Sequence, residues 1–414
     1  MLLLIISNFA VFFKYSRAQV INAPHDVDRK ANGNTLVCTT TFAEMFEHID
    51  RRSDQLPMPA ESDLHKIIEV NDKGEVVWEI TGLGIPHEVE EIPDGHLLVA
   101  DTSRDRIIEI NYPNKDIIWS WEPMQINWTQ VNSVWGADHY YNNPIVYDFT
   151  HMNDVEFKQY GNWNACLISI RNFDLVVEIN YTAEILRPSN NPSNIVWWFG
   201  DYGNHSMINK QHNPDYLSNG NIIIADSQNN RIIEVNKTTK EIVWKYDEGL
   251  RWPRDADELE NGRILITDCF NNRIIEIDKE SKETLWKYCR NTIIPYEADM
   301  LENGNILISG DYGGKVVEVN RKGKVVWTYD KSAVQSAFYM NATFISLICL
   351  NGIFYQTTRL YKREVTKKEK ARRITALSFQ SLALLFFAFI LVAYHFFIRV
   401  LIQIAYSTIG HEMF

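Results

Sequence analysis

Residues 211–236, QHNPDYLSNGNIIIADSQNNRIIEVN, are nearly repeated at residues 253–278 as PRDADELENGRILITDCFNNRIIEID. The turns and the apolar alternation are shared, yet His212 stands where the second copy has Arg254. Working outward, the same unit recurs six times, starting at His25 (HDVD), His87 (HEVE), His151 (HMND), His212 (HNPD), Arg254 (RDAD) and Tyr296 (YEAD). Five starts are followed eight residues later by a glycine preceded by Asn or Asp: Gly33, Gly95, Gly220, Gly262 and Gly304. Such pairs supply the positive φ that a tight hairpin turn needs.

Each turn leads into an apolar run, a second polar turn, an alternating strand such as RIIEVN, and a last strand carrying Trp78, Trp119, Trp197, Trp244, Trp286 or Trp327. Four short strands with period-two alternation make one antiparallel sheet per unit. One such sheet cannot bury both faces, but six stacked radially can. The sequence therefore predicts an all-β chain: a six-bladed β-propeller over residues 21–333, spanning Asn22 to Asp330, with a C-terminal transmembrane helix or helical hairpin. The recurring tryptophans are expected to pack between blades. The acid three places after each start (Asp28, Glu90, Asp154, Asp215, Asp257, Asp299) is expected to accept backbone hydrogen bonds between blades, a metal-binding ring being the alternative.

Composition sets the outer limits. The 414 residues are 45% hydrophobic and 23% charged, enough apolar content for a full core. A net charge of -12 argues against nucleic acid as a partner. Five scattered cysteines form neither a metal-type pair nor a dense disulfide framework.

The first strand of each blade lines a propeller's channel, so the six starts should converge there as four histidines, an arginine and a tyrosine. The third unit departs furthest, with an expanded turn (KQYGNWNA) and a changed sequence after it. Aligned by its apolar run, Arg171 occupies the column of Thr40, Thr102, Ser227, Cys269 and Tyr312, and Ile170 replaces the acid of Asp101, Asp226, Asp268 and Asp311. A guanidinium without that local carboxylate is available to face something else.

The stretches PHEVEEIPDGHLLVAD, HMNDVEF with LISIRNFDLVVEIN, and QHNPDYLSNGNIIIADSQNNRIIEVN together resemble the propeller of the arylsulfotransferase family, the PAPS-independent aryl-sulfate sulfotransferases. Single blades also resemble NHL-type repeats. The first resemblance covers about three quarters of the chain. It implies transfer of a sulfuryl group from an aryl sulfate to a phenolic acceptor, with His212 as the nucleophile that becomes a sulfohistidine. It also implies that His87, His151 and Arg171 bind the sulfuryl oxygens and assist the leaving group, with Asn153 as a neighbouring polar contact. His25, Arg254 and Tyr296 enter as substrate-binding candidates from their positions, since the family assigns no role to Arg254 or Tyr296. No cofactor and no resident metal are implied. Bacterial members carry an additional N-terminal β-rich domain, whereas the first blade here begins about two dozen residues in.

The chemistry is coherent. Guanidinium and imidazolium donors can neutralise the spread charge of a sulfate ester. A neutral imidazole can attack in line and divide the transfer into two steps, and a second histidine can protonate a phenolate whose parent pKa is about 10. Two other classes of function remain open at this point. One is a non-catalytic propeller binding an anionic ligand or a partner protein; the other is a metal-dependent lyase or hydrolase using the channel histidines.

The chain ends point to a membrane. Residues 374–398 carry no Asp, Glu, Lys or Arg, long enough to cross a bilayer as a helix within a 374–400 segment. The preceding 359–373 stretch has eight basic residues against two acidic and is expected to be a cytoplasmic loop. Residues 337–355 are uncharged, so 334–358 is a second candidate span that would complete a hairpin and place the propeller outside. If 337–355 instead packs on the last blade, the propeller is cytoplasmic. Residues 1–20 read as a signal-like or anchor segment, and sequons such as those at Asn127 and Asn236 are compatible with export. The sequence assigns no oligomeric state.

Overall fold

The structure, a computed structural model, describes residues 22–41, 65–136, 138–141, 149–186, 191–289, 294–310 and 314–330. The N-terminal segment, the candidate spans, the basic loop and the column positions Asp311 and Tyr312 lie outside the described residues. Among the described residues, no helix is long and apolar enough to cross a membrane.

Six four-stranded antiparallel sheets follow one another along the chain, each using four consecutive strands. The first strands are Asn22–Arg29, Pro86–Glu91, Met152–Tyr160, His212–Tyr216, Pro253–Leu259 and Pro295–Met300. The turn glycines take the required conformation, with φ of 86°, 84°, 86°, 71° and 77° at Gly33, Gly95, Gly220, Gly262 and Gly304. The third blade has no expanded turn. Its first hairpin closes directly between Tyr160 and Trp163, whose rings stack at 4.8 Å, with Gly161 at φ 52°.

Apolar cores lie between blades. The second strand of the fourth blade, Ile222–Asp226, is buried throughout. Alternation sends Ile222 and Ile224 to the third blade's Leu167 and Val176, and Ile223 and Ala225 to the fifth blade's Ile264 and Ile266. Each buried isoleucine contributes about 1.5–3 kcal/mol, so Ile223→Ala would open a cavity costing about 2–5 kcal/mol.

The tryptophans pack between blades as expected and also bond there. Indole Nε1 donates to a carbonyl in the next blade's outer turn from Trp78 (Pro113, 3.0 Å), Trp197 (Lys237, 2.7 Å), Trp244 (Lys279, 2.9 Å) and Trp286 (Arg321, 2.9 Å). Trp327 closes the circle onto Asp72 at 2.9 Å. Trp119 differs: helix Tyr181–Leu186 replaces that turn, and the indole packs edge-on against Tyr181, its buried Nε1 without a partner. A buried glutamate on each third strand is a second tie. Glu69, for example, accepts from Asn34 in its own blade and from Tyr112 in the next, at 2.5 and 2.6 Å.

No strand is shared between the last and first blades. Their seam is held by Val27 packed with Leu307 and Val316, by Arg29–Glu318 at 3.0 Å, and by Ser309 Oγ donating to the His25 carbonyl at 2.7 Å.

Candidate active site

A β-bulge lies at the start of each blade's first strand, and in the fourth blade it follows His212, which itself pairs with Ala225. Pro86 pairs with Asp101 and Glu88 with Ala100, leaving His87 as the extra residue; Pro253 and Asp255 likewise leave Arg254. Two residues before the start, the backbone is left-handed at Ile85, Lys210, Trp252 and Ile294, with φ between 48° and 55°.

This register corrects the sequence alignment of the third blade. There Met152 pairs with Ile170 and Asp154 with Ser169, so the bulged residue is Asn153. His151 occupies the left-handed position two residues earlier, at φ 45°. The signal was present in the sequence: NDVE matches HDVD, HEVE, RDAD and YEAD better than HMND does, and Gly161 follows Asn153 by the same eight residues. The third member of the recurring acid ring is accordingly Glu156, and Asp154 belongs to the ring one residue after the start.

The side chains meet around the axis. His25 stacks on His87 at 4.3 Å and lies 4.7 Å from Tyr296; His87 meets His151 edge-on at 4.9 Å; His212 lies 6.2 Å from Tyr296. The Arg254 guanidinium sits 4.0 Å over the Tyr296 ring. His25, His87, Arg171, His212, Arg254 and Tyr296 are all buried, and His151 is half-buried.

His212 is fixed through one nitrogen. Its Nδ1 lies 3.2 Å from the Lys210 carbonyl and 2.8 Å from Ser227 Oγ, which itself donates to the Pro253 carbonyl at 2.6 Å. Both partners are then acceptors toward the ring, so Nδ1 carries the hydrogen and Nε2 the lone pair. His87 is set the same way by the Ile85 carbonyl, 3.0 Å from its Nδ1.

The neighbours of Arg171 explain its orientation. In the second and fourth blades its column holds a hydroxyl residue that ties down the next blade, Thr102 to Met152 O at 2.7 Å and Ser227 to Pro253 O at 2.6 Å. In the third blade that bond passes to Asn153, whose amide donates to Gln211 O at 2.9 Å. The Asn153 amide nitrogen thus holds the strand bearing His212. The ion pair of Asp226 with Arg231 becomes the apolar pair Ile170 and Leu175. Sequence reasoning missed what supports the Arg171 turn. Phe173 stacks on Tyr140 at 4.4 Å and meets Trp128 and Phe149 edge-on, so the 122–150 insertion braces it.

All four histidines are held well below 6.5, first by burial. Arg254 adds to this at each of them, and Arg171 at His87, His151 and His212. The pocket therefore combines neutral imidazoles with two guanidiniums, an arrangement suited to an anion. Among the described residues, the groups of three whose ligand atoms could share a cation are Asp94, His96, Glu109 and Asp26, Glu88, Glu297; neither uses a channel histidine.

Below this pocket the inter-blade bonds fall on the acid one residue after the start, not chiefly on the acid three after it. Asp26 accepts from Val89 N at 2.7 Å, Asp255 from Ala298 N at 3.1 Å and Glu297 from Val27 N at 3.0 Å. Of the outer ring, Glu90 makes such a bond, to Phe157 N at 2.5 Å. Asp154 should meet residue 214 of the next blade, which is proline and has no N–H. Both Asp154 oxygens are buried without a hydrogen-bond partner.

No curated protein matches the chain. Among solved structures it is similar to a protein of unknown function from Bacteroides caccae (13% identity over 65% of this chain and 90% of that one, TM-score 0.43). It is also similar to virginiamycin B lyase from Staphylococcus aureus (11%, 75% and 86%, TM-score 0.47) and to the WD40 β-propeller domain of Doa1 (11%, 75% and 82%, TM-score 0.42). Residues 190–348 match the family described as outer membrane protein assembly factor BamB.

Proposed function

We propose that the protein is a sulfotransferase that moves a sulfuryl group from an aryl sulfate to a phenolic acceptor through His212. The observation that carries this reading is the fixed tautomer of His212, its Nε2 lone pair left available in a buried cluster with two guanidiniums. Arg171 and Arg254 would neutralise the sulfuryl oxygens. Nε2 attacks sulfur, the N–S bond forms as the aryl S–O bond breaks, and the phenolate takes a proton from His87 or His151. Binding of the anionic donor offsets the cations that add to burial in keeping those histidines neutral, so one of them takes up that proton as the donor binds. His212 keeps its Nδ1 hydrogen on Lys210 O and Ser227 Oγ, leaving the sulfated ring an imidazolium and hence a good leaving group. An acceptor phenol then loses its proton to the same histidine and takes the sulfuryl group. The uncharged 374–398 segment beside a basic run supports a membrane-anchored enzyme with an extracytoplasmic propeller.

Intact-mass measurement of the full chain after brief exposure to 4-nitrophenyl sulfate tests this. An acid-labile gain of one SO3 is expected, absent in His212→Ala. Folded protein that releases no nitrophenolate and gains no mass would refute transfer and leave an anion-binding propeller.

A further inference from the structure

The acidic end of the channel is a second site, independent of the transfer chemistry. A cavity of about 250 Å³ is lined there by ten residues, of which nine are carboxylates and the tenth is Asn213. Among the described residues, Lys158 offsets one of these charges, at Asp215. Three carboxylates come closest together: Asp26, Glu88 and Glu297 each present an oxygen within 4.8 Å of the others. All three are buried, and the outer oxygens of two are already held by backbone, Asp26 by Val89 N and Glu297 by Val27 N. Asp26 is 1% exposed, and its other oxygen, Oδ1, has no hydrogen-bond partner. Asp154, on the same ring and 0% exposed, adds a carboxylate whose two oxygens are both unpartnered.

We infer that a calcium ion binds at the acidic end of the channel, between Asp26, Glu88 and Glu297. Ligands about 2.4 Å from one ion can lie at most about 4.8 Å apart, and the three oxygens here fall within that limit. Magnesium, at about 2.0–2.1 Å, demands a tighter and more regular cage. The donors are all hard oxygens, as calcium prefers, and the cavity has room for water to complete its coordination. The location gives the ion a structural task. Glu297 belongs to the last blade, Asp26 to the first and Glu88 to the second, so one ion would clamp the seam that no shared strand closes. Three ionised carboxylates this close repel one another, and a bound cation would relieve that repulsion.

The test is calcium titration of chelator-treated full-length protein, followed by calorimetry and by thermal unfolding. One ion per chain is expected, with the melting temperature raised by about 4 °C at a hundredfold excess over Kd. Magnesium at equal concentration should give a smaller shift. Glu88→Gln should weaken calcium at least tenfold, whereas Asp255→Asn, outside the group of three, should change it less than threefold. A melting temperature indifferent to millimolar calcium, or equal losses in the two variants, would overturn the site. Wild-type protein offers a test without substitution. Infrared absorption from protonated carboxyls in chelator should fall on adding calcium, and a band unchanged by calcium would mean that protons, not a cation, neutralise these groups.

Discussion

Replacing Pro214 by valine should stabilise the propeller, although proline usually stiffens a chain. The equivalent position holds Val27, Val89, Val155, Ala256 and Ala298 in the other blades. At Val89, Ala298 and Val27 its N–H donates to the preceding blade's carboxylate at 2.7, 3.1 and 3.0 Å. Valine at 214 supplies the donor that buried Asp154 lacks. Leaving a buried acceptor without a partner costs about 1–3 kcal/mol, which the new donor recovers. Losing the proline gives back about 0.4–1 kcal/mol through the unfolded chain. The net gain is about 1–2 kcal/mol, and valine fills nearly the volume of the ring it replaces. With about 2.1 cal/mol/K of unfolding entropy per residue over the propeller, the melting temperature should rise by about 1.5–3 °C. Thermal unfolding in chelator should be run on wild type, Pro214→Val, Asp154→Asn and the double variant. An equal gain with and without the Asp154 carboxylate, or no gain at all, would refute the pairing.

The tryptophan ring offers a matched comparison. Trp244→Phe removes a hydrogen bond to Lys279 and should destabilise by about 1–2 kcal/mol. Trp119→Phe removes a buried, unpartnered N–H and should be neutral or stabilising, so equal losses in urea denaturation would contradict the assignment. The depressed channel histidines set a pH dependence. Because the unfolded chain protonates first, their contribution to stability is complete above about 6.5 and declines as pH falls below it. Arg254→Met should move all four histidine titrations upward in NMR, by about one unit per 1.4 kcal/mol of repulsion removed. It should also move the acid limb of adduct formation the same way; unmoved resonances would show that Arg254 does not act on the cluster.

The blades and their turns were legible because tight turns restrict residue choice and the cores alternate strictly. The Arg171 column was legible in the first five blades, since it follows a regular apolar run; in the sixth it was one residue out, because Gly310, not Asp311, pairs with Lys315 as Asp226 pairs with Arg231. The third blade was misplaced by two residues because a histidine at position 151 outweighed the pattern around it; NDVE and HMND both carry an acid three residues on. The bulge was invisible for a related reason. Parity counted from the start residue assigns faces correctly only in an unbroken strand, and here the break falls at the site itself. That hid both the inter-blade role of Asp26, Asp255 and Glu297 and the turning of Asn153 toward the backbone of Gln211. The convergence of Asp26, Glu88 and Glu297 needs the ring to close, which no local pattern encodes.

The bulge at the head of each blade also bears on how such a protein can change. In every blade but the fourth, where His212 pairs with Ala225, the start residue takes no partner in the strand ladder, so exchanging it leaves the pairing of its own sheet intact. The scaffold thus behaves as a set of independently mutable sockets around a common axis. Single substitutions there can re-specify the chemistry presented at the centre, as the histidine, arginine, tyrosine and asparagine now found at equivalent places illustrate, without a new fold having to be invented.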